Sequence, residues 1–218
     1  MKPLQFLIAA LVLLMFSVSA VKAQTPVQFI ARYNLGVGIQ YNNLYYGDEI
    51  IPYSPGGGMG LEAGIRLMPT THLEPYATIG FQQNLAIKMT DRDDYWDNES
   101  YFTFSRVTFN AGLNYKFPII PNSSSLVRVG GGLNFSIPGW AGFKENNEKL
   151  PSIKYQMARG FNIEASYMAY ADRKVTVEPG IRYRHIEFKP SGNQYVQRDM
   201  NPAQASGFDL SIIIGLNL

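Results

Sequence analysis

Charged side chains recur two or four positions apart within segments whose alternate residues are apolar. Glu62 and Arg66 lie in one such segment, and Glu164 and Glu178 lie in two others. Residues two or four apart in an extended strand face the same side of a sheet. Because charges away from bulk water persist only when they are paired, this pattern predicts a network of ion pairs. Five acids and six bases share the polar face: Glu62, Glu74, Glu164, Glu178 and Asp209 with Arg66, Arg106, Lys116, Arg128, Arg182 and Arg184.

The two histidines, His72 and His185, are the other candidates for acid–base chemistry. A hydrolase needs a nucleophile held by a base. The nearest serine after His185 is Ser191, six residues on and beyond Pro190. No catalytic motif is present, so we predict an interfacial histidine, no enzymatic activity and no cofactor.

The most acidic stretch contains Asp91, Asp93, Asp94, Asp97 and Glu99. Oxygen-rich loops can bind Ca²⁺, but the calcium-binding loop requires Gly at its sixth position and Trp96 stands there. This departure favours a solvated loop over a metal site.

Residues 1–23 have the pattern of a secretory signal peptide. Lys2 precedes an apolar core from Leu4 to about Val18, and the small residues Ala20 and Ala23 follow. We therefore predict export, with a mature chain of residues 24–218 that forms one domain.

The composition of the mature chain narrows its class. Removing Lys2 and Lys22 leaves 17 basic residues against 17 acidic ones, so no positive surface for nucleic acid is expected. Cysteine is absent, which excludes disulfides and thiolate metal sites. Alternating polarity with little helical periodicity after residue 24 predicts an all-β protein.

The final stretch, Gly207 to Leu218, shows the alternation most clearly, and only Ile213 breaks it. An apolar residue stands at every second position, which predicts a strand of the length that crosses an outer membrane. The same pattern predicts seven earlier strands: Tyr33–Tyr41, Met59–Leu67, Tyr76–Gln82 with a continuation to Met89 left open, Arg106–Phe117, Val127–Ile137, Phe161–Ala169 and Val175–Arg184. Phe102 and Phe104 have the wrong parity and are interpreted as a bulge or an extension above the membrane.

The predicted connections alternate in length. Long ones follow the first, third, fifth and seventh strands, and short ones follow the second, fourth and sixth. Short periplasmic turns and long extracellular loops are typical of an antiparallel up-and-down transmembrane barrel. A secreted β-sandwich is the alternative, but Tyr and Phe near the strand ends favour the barrel, where aromatic girdles would lie.

Residues 24–218 therefore resemble the small eight-stranded outer-membrane β-barrel family, which includes OmpX and the membrane domain of OmpA. The resemblance is one of strand pattern, and the final Leu218 departs from the Phe with which many members end. It implies residence in the bacterial outer membrane. The implied partners are outer-membrane lipid, lipopolysaccharide and the barrel-assembly machinery. The family also includes lipid A deacylases, which implies an enzyme as an alternative.

The lumen is predicted to hold the charge network of Glu62, Arg66, Glu74, Arg128, Glu164, Glu178 and Arg182. Eight-stranded barrels have interiors just wide enough for side chains, so a filled lumen is favoured over a gated ion path. Counting across the turns predicts that Arg66 pairs with Glu74 and that Glu164 lies opposite Arg182.

Aromatic residues gather in the long loops at Tyr45, Tyr46, Tyr95, Trp96 and Trp140. Such residues contact a partner, pack the loops together or rest on lipid headgroups. The sequence predicts a non-enzymatic outer-membrane barrel that serves membrane integrity or surface interaction. A lipid A deacylase-like enzyme and a narrow porin are the alternatives, and no extracellular ligand is identified.

Overall fold

The computed structural model describes residues 26–40, 42–46, 49–68, 72–84, 88–91, 98–119, 124–139, 141–145, 148–149, 152–191 and 202–218. These residues form strands joined by turns and irregular segments. The described residues contain no helix long and apolar enough to cross a bilayer.

Eight long strands form the main sheet. They are β1 (Val27–Gly38), β4 (Gly58–Leu67), β5 (Leu73–Gln83), β8 (Ser105–Pro118), β9 (Leu126–Pro138), β12 (Ala158–Met168), β13 (Val175–Phe188) and β15 (Gly207–Asn217). The shorter strands are β2 (Asn42–Tyr46), β3 (Glu49–Tyr53), β6 (Lys88–Asp91), β7 (Asn98–Thr103), β10 (Gly142–Glu145), β11 (Glu148–Lys149) and β14 (Ala203–Gln204).

The main sheet closes on itself. Each long strand pairs antiparallel with the next, and β15 pairs with β1 from Gln28↔Asn217 to Gly38↔Gly207. The β12–β13 ladder completes the ring. Closure leaves no long strand with an unpaired edge. The prediction of an eight-stranded antiparallel up-and-down barrel is confirmed.

The two ends of the barrel differ. The terminal end, as we call it, carries the start of β1 and the end of β15, and Leu218 N donates to Val27 O there (3.0 Å). The opposite end, the loop end, carries the connections that contain β2 and β3, β6 and β7, β10 and β11, and β14. These short strands pair mainly among themselves: β2 with β3, and β6, β7, β10 and β11 in a four-stranded sheet.

The sequence misplaced several strand bounds. The first strand begins at Val27, six residues before Tyr33, because its start pairs with the end of β4 at Val27↔Leu67. The third strand ends at Gln83 and does not continue to Met89, which lies in β6 and pairs with β7. β12 and β13 also extend beyond their predicted loop-end limits, to Ala158 and Phe188.

The barrel is inverted relative to a water-soluble protein over most of its height. Its exterior is apolar, with Val37, Leu61, Leu133 and Leu210 each more than 60% exposed. Its interior is lined by buried polar and charged side chains. Ile213, which breaks the alternation of β15, points inward and is only 1% exposed. The other inward residues of β15 include Asp209 and Ser211.

Candidate functional site

The charged side chains of the lumen form two groups. The terminal cluster, nearer the terminal end, consists of Arg66, Glu74, Lys116, Arg128 and Glu178. The central cluster consists of Arg32, Glu62, Arg106, Glu164, Arg182, Arg184 and Asp209. Strand alternation brings all of these residues inward, because they share one parity on each strand.

Two fully buried carboxylates hold the terminal cluster together. Glu74 contacts Lys116 Nζ at 2.9 Å and Arg128 Nε at 2.5 Å. Glu178 contacts Arg128 Nη1 at 2.6 Å and Arg66 Nη1 at 3.2 Å. Arg128 therefore bridges the two acids. Because each acid has more than one cationic neighbour, neither is left as an uncompensated buried charge.

The predicted pairing of Arg66 with Glu74 is only partly correct. Arg66 Nε lies 3.9 Å from Glu74 Oε2, at the limit of an ion pair. The strand register is wrong, since Arg66 lies opposite Tyr76 and is two residues out of the predicted alignment. Glu178 is the closer acid, so Arg66 reaches across the lumen instead of along its own hairpin.

Arg182 is at the middle of the central cluster. It forms a bidentate contact with Glu62 and also lies 3.3 Å from Asp209 Oδ2. Asp209 in turn contacts Arg184 through both carboxylate oxygens, at 2.7 Å each. Glu164 lies opposite Arg182 in the β12–β13 ladder, as predicted. Its salt bridge, however, is with Arg32 at 2.7 Å.

Arg32 was missed by the sequence analysis. Its side chain is 3% exposed and lies in the lumen. The predicted first strand began at Tyr33, so Arg32 fell outside it. The signal was present, because Arg32 shares its parity with Asn34 and extends the alternation by one step.

Neutral polar groups add hydrogen bonds to the central cluster. Asn34 Nδ2 donates to Glu62 Oε1 at 2.9 Å, and Thr78 Oγ1 donates to Glu62 Oε2 at 3.3 Å.

Glycines make room for the larger side chains. A Cβ at Gly112 would lie 2.7 Å from Gly132 Cα and 2.8 Å from the Tyr76 ring. A side chain at position 112 would therefore collide with the facing strand and with the Tyr76 ring.

A short segment of backbone, Ser54 to Gly57, lies over the loop-end side of the central cluster. We call it the strap. Arg106 Nη1 donates to Pro55 O at 3.0 Å, and Arg184 Nη2 donates to Gly56 O at 3.1 Å. Asn84 Nδ2 donates to Ser54 O at 2.5 Å. The strap is therefore held by side chains from β8 and β13 and by the residue after β5.

Beyond the strap lies a cluster of buried apolar side chains, the aromatic cap. Its members come from all four loop-end connections and the adjoining strand ends: Tyr53, Phe102, Phe104, Ala141, Ile153, Tyr155, Ala158, Ile186, Phe188, Ala203 and Ala205. Phe104 meets Phe188 edge-on at a centroid distance of 5.3 Å. The hydroxyl groups of Tyr53 and Tyr155 are 2.9 Å apart, and burial raises the pKa of both phenols.

The cap explains the parity of Phe102 and Phe104. Phe104 has the same parity as Arg106 and Thr108, which face the lumen, and it is 2% exposed. Of the two predicted explanations, a bulge or an extension above the membrane, the extension fits Phe104 better, because this residue continues the inward-facing row of β8. The packing of Phe104 in the cap could not be predicted from the pattern of the adjoining β8, because its packing partners come from parts of the chain distant in sequence.

His185 has a serine neighbour that the sequence did not indicate. Ser206 Oγ lies 3.0 Å from His185 Nδ1, although the residues are 21 positions apart. Ser206 is 1% exposed. The His185 ring also packs on Phe161 at 5.3 Å. His72 is at the terminal end, where its ring stacks on Tyr115 and Nδ1 lies 3.2 Å from Lys116 O.

Several predicted loop features lie outside the described residues. They are Tyr95, Trp96, Trp140, the acidic residues Asp93, Asp94 and Asp97, and the predicted signal peptide of residues 1–23. The backbone of Tyr45 and Tyr46 belongs to β2, and these residues pair with Ile50 and Glu49. Their roles as contacts remain predictions.

The exterior of the barrel carries a continuous apolar belt. Every strand contributes, for example with Leu35 on β1, Phe81 on β5 and Ile163 on β12. A closed barrel with such a belt matches the hydrocarbon layer of a bilayer, where all backbone groups must bond internally. Within the eight long strands, which the structure describes in full, the outward-facing charged residues are Arg159 and Glu187, and both lie towards the loop end.

The chain is similar in structure to bacterial outer-membrane proteins. The chain is similar to neisserial surface protein A, with 13% identity and a TM-score of 0.51 over 90% of this chain and 98% of that one. It is also similar to the outer membrane protein OprG of Pseudomonas aeruginosa, with 13% identity and a TM-score of 0.57 over 89% and 97%. No family model and no curated protein sequence matches the chain. The fold is that of the small outer-membrane β-barrels, and the apolar belt is the exterior that such a barrel presents to lipid.

Proposed function

We propose that the protein is a non-enzymatic outer-membrane barrel with a non-conducting interior, which serves membrane integrity or surface interaction through its loops. The observation that carries this proposal is that four successive layers of side chains and backbone fill the lumen along the barrel axis. The terminal cluster, the central cluster, the strap and the aromatic cap follow one another from one end to the other.

Ion passage through such an interior would be costly. A moving ion would have to separate pairs such as Arg128–Glu178 and Arg182–Glu62, and it would also have to displace the strap. Separating a buried pair leaves each charge without its partner, and that costs several kcal/mol. Eight-stranded barrels have little space beyond their own side chains.

Conductance across a planar bilayer tests the closed interior. The purified wild-type protein should show small or rare openings at most. The double variant Glu62→Ser with Arg182→Ser removes both members of a central pair and should open more often. Leu61→Ala, on the lipid-facing side of the same strand, is the matched control and should behave as the wild type. Steady porin-sized conductance of the wild type would contradict the proposal and favour a narrow porin.

The loop end is the surface proposed to meet the environment. Tyr45, Tyr46, Tyr95, Trp96 and Trp140 are proposed contacts for a partner or for lipopolysaccharide headgroups. The barrel-assembly machinery and outer-membrane lipid are the other proposed partners. Whole-cell protease treatment tests the orientation: cleavage confined to the loop-end connections supports it, and cleavage confined to the terminal-end turns contradicts it.

A lipid-modifying hydrolase is the second candidate, and the Ser206–His185 contact favours it. A serine held by a histidine is the core of an acyl-transfer site. Two features weigh against it: Ser206 is buried, and the described residues place no carboxylate within ion-pair distance of His185. Mass spectrometry of lipid A should show no change on expression of the wild type. An altered lipid A that is restored to normal by Ser206→Ala would make this candidate the function.

A further inference from the structure

The positive charges of the central cluster outnumber the negative ones. Arg32, Arg106, Arg182 and Arg184 face Glu62, Glu164 and Asp209, and all seven side chains are buried. Arginine keeps its proton in proteins, so this imbalance cannot be removed by deprotonation. A buried charge without compensation is strongly unfavourable.

The excess charge is located at Arg106. Among the residues that the structure describes, no carboxylate lies within ion-pair distance of this guanidinium, whose acceptors are neutral oxygens. Nη1 donates to Pro55 O at 3.0 Å, and Nη2 donates to Gln82 Oε1 at 2.9 Å. Nε is buried and has no hydrogen-bond partner. The side chain is only 2% exposed, so bulk water offers little compensation.

A second guanidinium adjoins the first. Arg184 Nη1 donates to the same Gln82 oxygen at 2.6 Å, so a single neutral amide acceptor serves both cations. Among the described residues, Asp209 is the one acid bonded to Arg184, and Arg182 shares that acid. Arg106 has no carboxylate partner, and Arg184 shares its carboxylate with Arg182. The two adjacent guanidinium groups therefore create a positive local potential that attracts an anion.

We propose that the loop-end side of the central cluster binds a small inorganic anion of chloride size against Arg106 Nε. The anion supplies the negative charge that the side chains lack and accepts the free N–H bond. It must be small, because the strap and the aromatic cap lie directly above Arg106. The site lies within the closed barrel, so it is a structural ion site rather than a transport path.

The test uses the full barrel in detergent, with sodium gluconate replaced stepwise by sodium chloride or bromide at constant ionic strength. Halide should raise the unfolding temperature by a saturable shift of about 5 °C, since a ligand that binds only the folded state stabilises it. Arg106→Gln should abolish the shift, because it removes the excess charge and the free N–H. Arg159→Gln, which removes an outward charge, is the matched control and should keep the shift.

Diffraction from crystals grown in bromide is the second measurement and does not depend on a variant. An anomalous peak beside Arg106 Nε supports the proposal. The absence of a peak there overturns it. It is also overturned by equal unfolding temperatures in gluconate and halide, or by a halide shift that survives in a folded Arg106→Gln protein.

Discussion

The central charge cluster and the aromatic cap occupy the same inward-facing rows of the barrel but stabilise it by opposite means. At the loop end of β8 the row passes from Arg106 to Phe104, which directly precedes the strand, and on β13 it passes from Arg184 to Ile186 and Phe188. The outward-facing positions change from apolar residues in the belt to polar residues at the loop end, where Lys189 and Thr103 are both exposed. Inward parity therefore does not decide polarity. The surroundings at each height decide it, because lipid requires an apolar exterior and water requires an apolar interior.

The largest effect is expected from leaving a buried lumen charge without its partner, here in the terminal cluster. Glu178→Gln should lower the free energy of unfolding by about 3–5 kcal/mol, since it deprives Arg66 of its nearest acid inside the lumen. Urea unfolding in lipid vesicles measures the change, with gel mobility of unboiled samples as the readout. Lys116→Gln at the more exposed rim should cost less. Equal losses would mean that the depth of the charge has no influence.

A substitution in the aromatic cap should loosen the cap without opening the barrel. Phe104→Ala removes a ring packed against Phe102, Tyr155 and Phe188 and should cost about 3 kcal/mol. Hydrogen exchange should increase in the cap, while the barrel keeps its mobility on unboiled gels. If the barrel strands exchange as fast as the cap, the two regions form a single cooperative unit, and the expected difference between them is contradicted.

The two faces of β15 offer a test of the belt. Ile212 is 52% exposed and lies in the outward-facing apolar belt, so Ile212→Arg should cost about 2–4 kcal/mol in a bilayer. Ser211 faces inward and is the matched neighbour, and Ser211→Ala should have little effect. Both changes are measured by unfolding in vesicles. Similar losses at the two positions would contradict the assigned faces.

The smallest effect is expected from the tyrosine pair of the cap. Tyr155→Phe removes the contact with the Tyr53 hydroxyl and should cost about 1 kcal/mol. Burial raises the pKa of both phenols, so the folded cap favours their neutral forms. This contribution is complete below the unfolded pKa of about 10 and is lost as the pH rises further. Hydrogen exchange of the cap against pH should therefore rise in alkaline solution, and less so in the double variant Tyr53→Phe with Tyr155→Phe.

The sequence predicted the barrel because each strand carries its own period-2 signal, which needs no partner to be recognised. It also predicted that the polar parity of each strand faces inward, and it failed where information from a second strand is required. The alternation already extends to Arg32, but only pairing with β4 and β15 shows that β1 begins as early as Val27. The Arg66 register was misjudged because the turn, rather than residue counting, sets the alignment.

The cap and the strap could not be predicted by the same reasoning. Their residues belong to connections without a regular period, and their contacts join positions as far apart as Tyr53 and Tyr155. Ser206 is brought to His185 in the same way, across a connection. Such contacts depend on how the loops meet, and local alternation carries no information about that.

The composition of the cap has a consequence for the order of assembly. Tyr53 precedes β4, Phe104 precedes β8, Tyr155 precedes β12, and Ala203 and Ala205 precede β15. These segments can meet only when the strands between them stand side by side, and the last segment arrives only with the final strand. The cap is therefore a late event with a high entropic cost of closure. Its protection from solvent would report that β1 and β15 have joined, so a chain stalled before closure should be distinguishable from a finished barrel by its open loop end.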